Sequence, residues 1–226
     1  MHVITMKELQ QLLLDRSKVH QYALDHYEEL VGRKHTYTLY GPHAHRLGAS
    51  IPCNTATPKQ SRKLQHKTRR KNYVIYHLDD HYQVIRTIII LNYSKVDIIF
   101  HHFELDGVVY ACGFSGTMQD GEIHPCPLQE ARNPVLDDMV LFLKFQDGKP
   151  VSYGELTIRM VFVQFYEYVD DTRMLVTTYR YWPYAERNIY GYPIDPGAPI
   201  GAINSAVHQR IYEETPENTD FSRWFK

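Results

Sequence analysis

The chain has 13 histidines among 226 residues, and imidazole is the side chain whose unperturbed charge changes between about pH 5 and 8. Four of them, His77, His81, His101 and His102, fall within residues 72–116 and form the set that a small metal-dependent hydrolase or nuclease would draw on. His77 and His81 flank Asp79-Asp80, so a tight turn could bring their rings together across a hairpin, with either aspartate as a third ligand. The bland alternative is a solvated turn. His101 and His102 are neighbours in an apolar run, and neighbours on a strand point to opposite faces, so they cannot share one ion without distortion.

Other reactive residues have weaker spacing. His43-Ala44-His45 would share a face on a strand, yet it lies just beyond Gly41-Pro42, where strand pattern stops. Cys53, Cys112, His124 and Cys126 can be drawn as zinc ligands, but no pair has the C-x2-C spacing that makes such a site specific. Ser115 sits in Gly113-Phe114-Ser115-Gly116, which is not the G-x-S-x-G of a nucleophile elbow. The carboxylate pairs, such as Asp137-Asp138 and Glu213-Glu214, are what exposed turns and helix ends carry. Catalysis therefore lacks a motif, and no cofactor is expected.

The elements that must position these residues are clearer. Between Asn72 and Gly116 the runs YVIYHL, HYQVIRTIIILNY, VDIIFHHFEL and VVYACGF alternate with Asp79-Asp80, the Ser94-Lys95 region and Asp106-Gly107, which is the pattern of an antiparallel meander. A second set follows: MVLFLKF from Met139, a turn at Gln146–Lys149, a long β-rich run from Val151 to Tyr168, a turn at Asp170-Asp171, and RMLVTTYRYW to Trp182. Setting Asp79-Asp80 on Asp170-Asp171 places Leu78 on Val169 and Val84 on Leu175. Either a duplicated hairpin or two hairpins with the same turn problem would give that match.

Thr5 and Glu8 form a capping box, and Leu9, Leu12, Leu13, Val19, Ala23, Tyr27 and Leu30 make one apolar stripe that stops at Gly32. Ile203, Val207, Arg210 and Ile211 are spaced for a closing helix over 200–214. The expectation is a single α+β domain over 1–226: a large curved antiparallel sheet of about seven strands, with an N-terminal and a C-terminal helix packed on it. A mobile basic loop is expected at 52–72.

The totals support a folded chain with one core, since 43% of residues are apolar and 23% charged. The start, MHVITMKELQQLLLDR, lacks the architecture of a secretory signal, and three cysteines are too few for a disulfide framework, so a cytoplasmic location is expected. Charge is uneven. Seven basic residues, Lys59, Arg62, Lys63, Lys67, Arg69, Arg70 and Lys71, lie together with no acidic one, and the other 18 basic residues face 26 acidic ones. The basic loop could contact nucleic acid, although no aromatic residue interleaves it for base stacking. The acidic remainder suits a cationic partner.

Eighteen tyrosines add amphipathic rings suited to recognition. Tyr166, Tyr168, Tyr179 and Tyr181 on the last strands, with Tyr184, Tyr190 and Tyr192 in the Gly- and Pro-rich segment after them, are the candidate partner anchors. The Tyr-rich strands with acidic turns, as in YEYVDDTRMLVTTYRYW and KFQDGKPVSYGELTI, resemble the cytoplasmic immunity proteins of bacterial polymorphic toxin systems. That resemblance covers about residues 73–182 as a style of sequence. It implies a protein without catalysis of its own that occludes a cognate toxin domain, and a nuclease-type toxin would supply the basic partner.

Overall fold

The computed structural model describes residues 4–42, 73–81, 83–90, 97–119, 122–132, 139–147, 149–157, 160–170, 173–181, 199–200 and 204–209. A two-residue strand, β1 (Ile4–Thr5), leads into helix α1 (Met6–Asp25) and a shorter helix α2 (Tyr27–Gly32). The capping box forms as the sequence requires. The Thr5 backbone N–H donates to the Glu8 carboxylate at 2.6 Å, and the Glu8 N–H donates to the Thr5 hydroxyl at 3.3 Å. The expected single helix breaks at His26, whose ring stacks on Tyr22 with centroids 4.0 Å apart while its Nδ1 engages the Tyr22 carbonyl at 2.9 Å. Leu9, Val19, Ala23, Tyr27 and Leu30 are buried on the predicted stripe.

The sheet is built from β2 (Tyr37–Pro42), β3 (Tyr73–Leu78), β4 (Val84–Ile90), β5 (Asp97–Leu105), β6 (Val108–Gln119), β7 (Glu122–Pro125), β8 (Val140–Gln146), β9 (Lys149–Leu156), β10 (Val161–Tyr168), β11 (Arg173–Tyr181) and β13 (Asn204–Gln209). A short helix, α3 (Leu128–Ala131), precedes β8. β12 (Pro199–Ile200) pairs with β1 in a separate two-stranded ladder. The main sheet has 11 strands, and its order from β2 to β13 follows the chain, with β7 as a branch that pairs with β6. Every pairing is antiparallel.

Three expectations are corrected here. The strand count exceeds seven, partly because the run from Val151 to Tyr168 is two strands. The chain turns between Thr157 and Met160, where the Thr157 N–H donates to the Met160 carbonyl and the Met160 N–H to the Thr157 hydroxyl, each at 2.8 Å. Third, Asn204–Gln209 is a strand rather than part of a closing helix. Its apolar spacing fits a helix, but the edge of β11 offers a ladder of backbone partners from Arg173↔Gln209 to Thr178↔Asn204, and tertiary pairing overrides the local pattern.

The turns follow their chemistry. Asp106 and Gly107 both have positive φ, 52° and 73°, as a two-residue hairpin loop between β5 and β6 demands. The aspartate turns after β3 and β10 are closed differently. The Asp79 carboxylate accepts from the His81 and Gln83 N–H groups, whereas the Asp170 carboxylate accepts from the Arg173 N–H one residue sooner. The two hairpins therefore share an aspartate-capped turn with different hydrogen bonding.

Both faces of the sheet are buried. α1 and α2 cover one face, where Phe103, Cys112, Phe114, Val140, Phe142, Leu156, Val161 and Val163 pack with the helical stripe. The opposite face holds Val74, Tyr76, Leu78, Phe100, Ala111 and Leu141, and further along Leu143, Tyr153, Tyr166, Met174 and Val176. Two-sided burial is why VIRTIII and DIIFHHF read as continuous apolar runs rather than as alternation.

Candidate functional site

Register brings four chemically capable residues into one row on the helix-covered face. His77 on β3 pairs with Arg86 on β4, Arg86 with His101 on β5, and His101 with Cys112 on β6. All four are buried. The end of α2 lies on this row, and its free carbonyls find partners there. One terminal nitrogen of Arg86 donates to the carbonyls of Val31 (2.9 Å), Arg33 (3.2 Å) and Leu30 (3.3 Å), and the His101 ring also hydrogen-bonds with the Leu30 backbone. The last carbonyls of a helix have no partners within it and carry its negative dipole end, so a guanidinium is well matched to them. Arg33 returns the contact by donating to the His102 carbonyl at 2.6 Å.

The electrostatics of the row follow from its burial. Desolvation pushes the His77 ring down to about 3, helped by His35 and Arg86, and pushes His101 down to about 3, helped by Arg86. Desolvation also lowers the pKa of Arg86, with Arg33 adding to the effect. Both histidines are therefore neutral at physiological pH. His35 stacks flat on His77, with centroids 3.8 Å apart and planes 11° apart. His77 Nδ1, His101 Nδ1 and Arg86 Nε are buried and have no hydrogen-bond partner among the described residues. Tyr27 packs edge-on to His101, and burial pushes its phenol up to about 12. Burial also raises the Cys112 thiol, so its thiolate is suppressed and it is a packing residue rather than a nucleophile.

The opposite face receives His102, as the alternation requires. Its Nε2 and the Thr87 hydroxyl are hydrogen-bonded at 2.8 Å in the core, and desolvation pushes the ring down to about 4. His81 stands at the surface beside Asp80, 3.7 Å away. The four histidines thus fall apart: His101 lies at the end of α2, His77 lies on the same face beneath His35, His102 is on the other face, and His81 is in solvent. No group of three His, Cys, Asp or Glu capable of holding a metal ion occurs among the described residues.

The tyrosines divide as well. Tyr166 and Tyr179 are buried, 4% and 1% exposed, and act in the core. Tyr168 shares the face away from the helices with Tyr166, and Tyr181 shares the helix-covered face with Tyr179, both half-buried. The four do not form one surface. Tyr184, Tyr190 and Tyr192 lie outside the described residues, as do Cys53, the histidines 43 and 45, and the basic set from Lys59 to Lys71. Of the remaining candidates, Cys126 contributes its carbonyl to the Tyr27 hydroxyl at 2.7 Å, His124 is exposed, and Ser115 is buried with no partner for its hydroxyl among the described residues.

Arg86 is the residue that sequence reasoning passed over. Its signal was available, because a lone guanidinium inside VIRTIII must either break the strand or meet a specific acceptor set. No protein-family model, curated protein or solved structure matches this chain. The row itself is built to bind the end of a helix, with a fixed cation at its centre and neutral rings beside it.

Proposed function

We propose that this chain is a cytoplasmic protein-binding module, an immunity-type protein that neutralises a cognate toxin domain by direct occlusion. The observation that carries the reading is the aromatic end of the β10–β11 hairpin. Val169 is 53% exposed at the turn, and the adjacent Tyr168 is half-buried with the Lys149 ammonium 5.4 Å from its ring centroid. At the far, open end of the same hairpin face, Phe162 is half-buried beneath the Arg180 guanidinium at 5.7 Å. Asp170 and Arg173 form an ion pair at 2.6 Å beside the tip. Apolar anchors inside a charged rim are the anatomy of a recognition surface.

Charge supports the same reading. Outside residues 59–71 the chain has 26 acidic and 18 basic residues, which favours encounter with a basic domain of the nuclease type. The metal-dependent alternative finds no comparable support, because the histidines it needs are dispersed or committed to packing.

The reading predicts that a neighbouring gene encodes a large secreted protein, and the C-terminal domain of that protein is the probe. Calorimetry is expected to give a tight complex that weakens at high salt, and the pair Tyr168→Ala and Val169→Asp should weaken it by at least tenfold with the unfolding midpoint little changed. Failure of the native chain to bind that domain, or to protect cells that express it, would overturn the proposal. Full affinity in the folded double variant would remove the hairpin from the interface.

A further inference from the structure

We propose that the Arg86 row is a binding site for one internal water molecule, which bridges Arg86 Nε and His101 Nδ1. Both side chains are more than nine-tenths buried, at 8% and 1% exposed, and neither nitrogen has a hydrogen-bond partner among the described residues. Leaving such atoms unpaired is costly, and internal waters commonly serve them. The two side chains converge on one oxygen. The Leu30 carbonyl, at the end of α2, accepts from a terminal nitrogen of Arg86 at 3.3 Å and also hydrogen-bonds with the His101 ring. A carbonyl can only accept, so the ring nitrogen that meets it carries the proton. Since His101 Nδ1 is the unpartnered atom, the proton is on Nε2 and Nδ1 presents a lone pair. Arg86 Nε, by contrast, is a donor.

Donor and acceptor stand on directly paired residues of β4 and β5, where side chains of one face are about 5 Å apart. A molecule making two hydrogen bonds of about 2.8–3.0 Å spans that distance. The pairing also selects the ligand. An anion would meet the His101 lone pair and a metal ion would meet the Arg86 N–H, whereas water accepts from one and donates to the other. Neighbouring groups do not compete for the place. The Tyr27 hydroxyl, whose ring is edge-on to His101, is committed to the Cys126 carbonyl. Cys112 on β6, which feels the charge of Arg16 on α1, offers only the weak hydrogen bonding of a thiol. The next row on this face is Ile75, Ile88 and Ile99, all buried and apolar. His77 Nδ1 is also without a partner among the described residues, but β3 and β5 lie two strand spacings apart, about 10 Å, too far for the same molecule to join both rings. The water thus serves the stem of Arg86 while the α2 carbonyls serve its tip.

A crystal structure of the full-length chain, at a resolution that shows its other internal waters, tests the site. A density peak is expected about 2.7–3.2 Å from both Arg86 Nε and His101 Nδ1. NMR gives a second readout on the native chain in solution: the Arg86 Nε–H should show a cross-relaxation peak to water, and the ring nitrogens of His101 should report Nε2 as the protonated one. An absent peak, a protein atom or an ion in its place, loss of the cross-relaxation to water, or a His101 ring protonated at Nδ1 would overturn the proposal.

Discussion

At the scale of single residues, a buried polar group in this protein is as good as its partner. The Thr87 hydroxyl is the described partner of His102 Nε2, deep in the face away from the helices. Thr87→Val keeps the shape and strands the ring nitrogen, which should cost about 1–3 kcal/mol of stability in denaturant unfolding. Thr87→Ser should recover most of the loss. Legibility at this scale was uneven. That His101 and His102 face opposite ways was readable from strand alternation alone, and so was the capping box at Thr5 and Glu8. The approach of Arg86 to His77, His101 and the end of α2 was hidden, because it joins residues from several elements and depends on a register no local pattern records. Likewise the burial of Tyr166 and Tyr179 depends on both faces of the sheet being covered.

At the scale of elements, strand pairs are keyed by aromatic rings lying over glycines. Phe100 on β5 pairs with Gly113 on β6, and Phe142 on β8 pairs with Gly154 on β9. A Cβ on Gly113 would come within 2.9 Å of the Phe100 ring, and one on Gly154 would run into Phe142. Gly154→Ala should therefore lower stability by about 1–3 kcal/mol through a displaced ring. Gly32→Ala, at the end of α2 with nothing within 4 Å of the new carbon, should be neutral or stabilising by up to about 1 kcal/mol. Thermal unfolding of the two variants side by side checks the contrast. Strands announced by apolar runs and flanked by Asp or Gly were readable to within a few residues. The turn from Thr157 to Met160 was not, since it carries neither Gly, Pro nor Asp and relies on one threonine hydroxyl. β13 was masked by a helical spacing that an edge strand can also satisfy.

At the scale of the whole molecule, the buried titratable groups bound a plateau of stability. His77, His101 and His102 have folded values of about 3, 3 and 4 against 6.5 when exposed, so each contributes fully above pH 6.5 and loses its contribution as pH falls toward its folded value. The expected slope is about 1 kcal/mol per histidine per pH unit. On the alkaline side the raised values of Tyr27 and Cys112 make stability fall once the unfolded thiol and phenol ionise, from about pH 9 upward. Denaturant midpoints measured from pH 4 to 10 should form a flat-topped curve, and a stability maximum near pH 5 would contradict the burial of the three rings. The antiparallel meander was legible because its strands are joined by short turns, whereas the closing pair, β1 with β12, joins Ile4 to Ile200 across almost the whole described chain. That pair has a consequence for synthesis. Every strand from β3 to β11 finds a sheet neighbour among residues already made, so the sheet can accrete in the order in which a ribosome delivers it. The Ile4 strand must wait for residue 200, and a product stopped short of that point would carry a nearly finished sheet with its first strand still unmatched, a mark by which incomplete chains differ from complete ones.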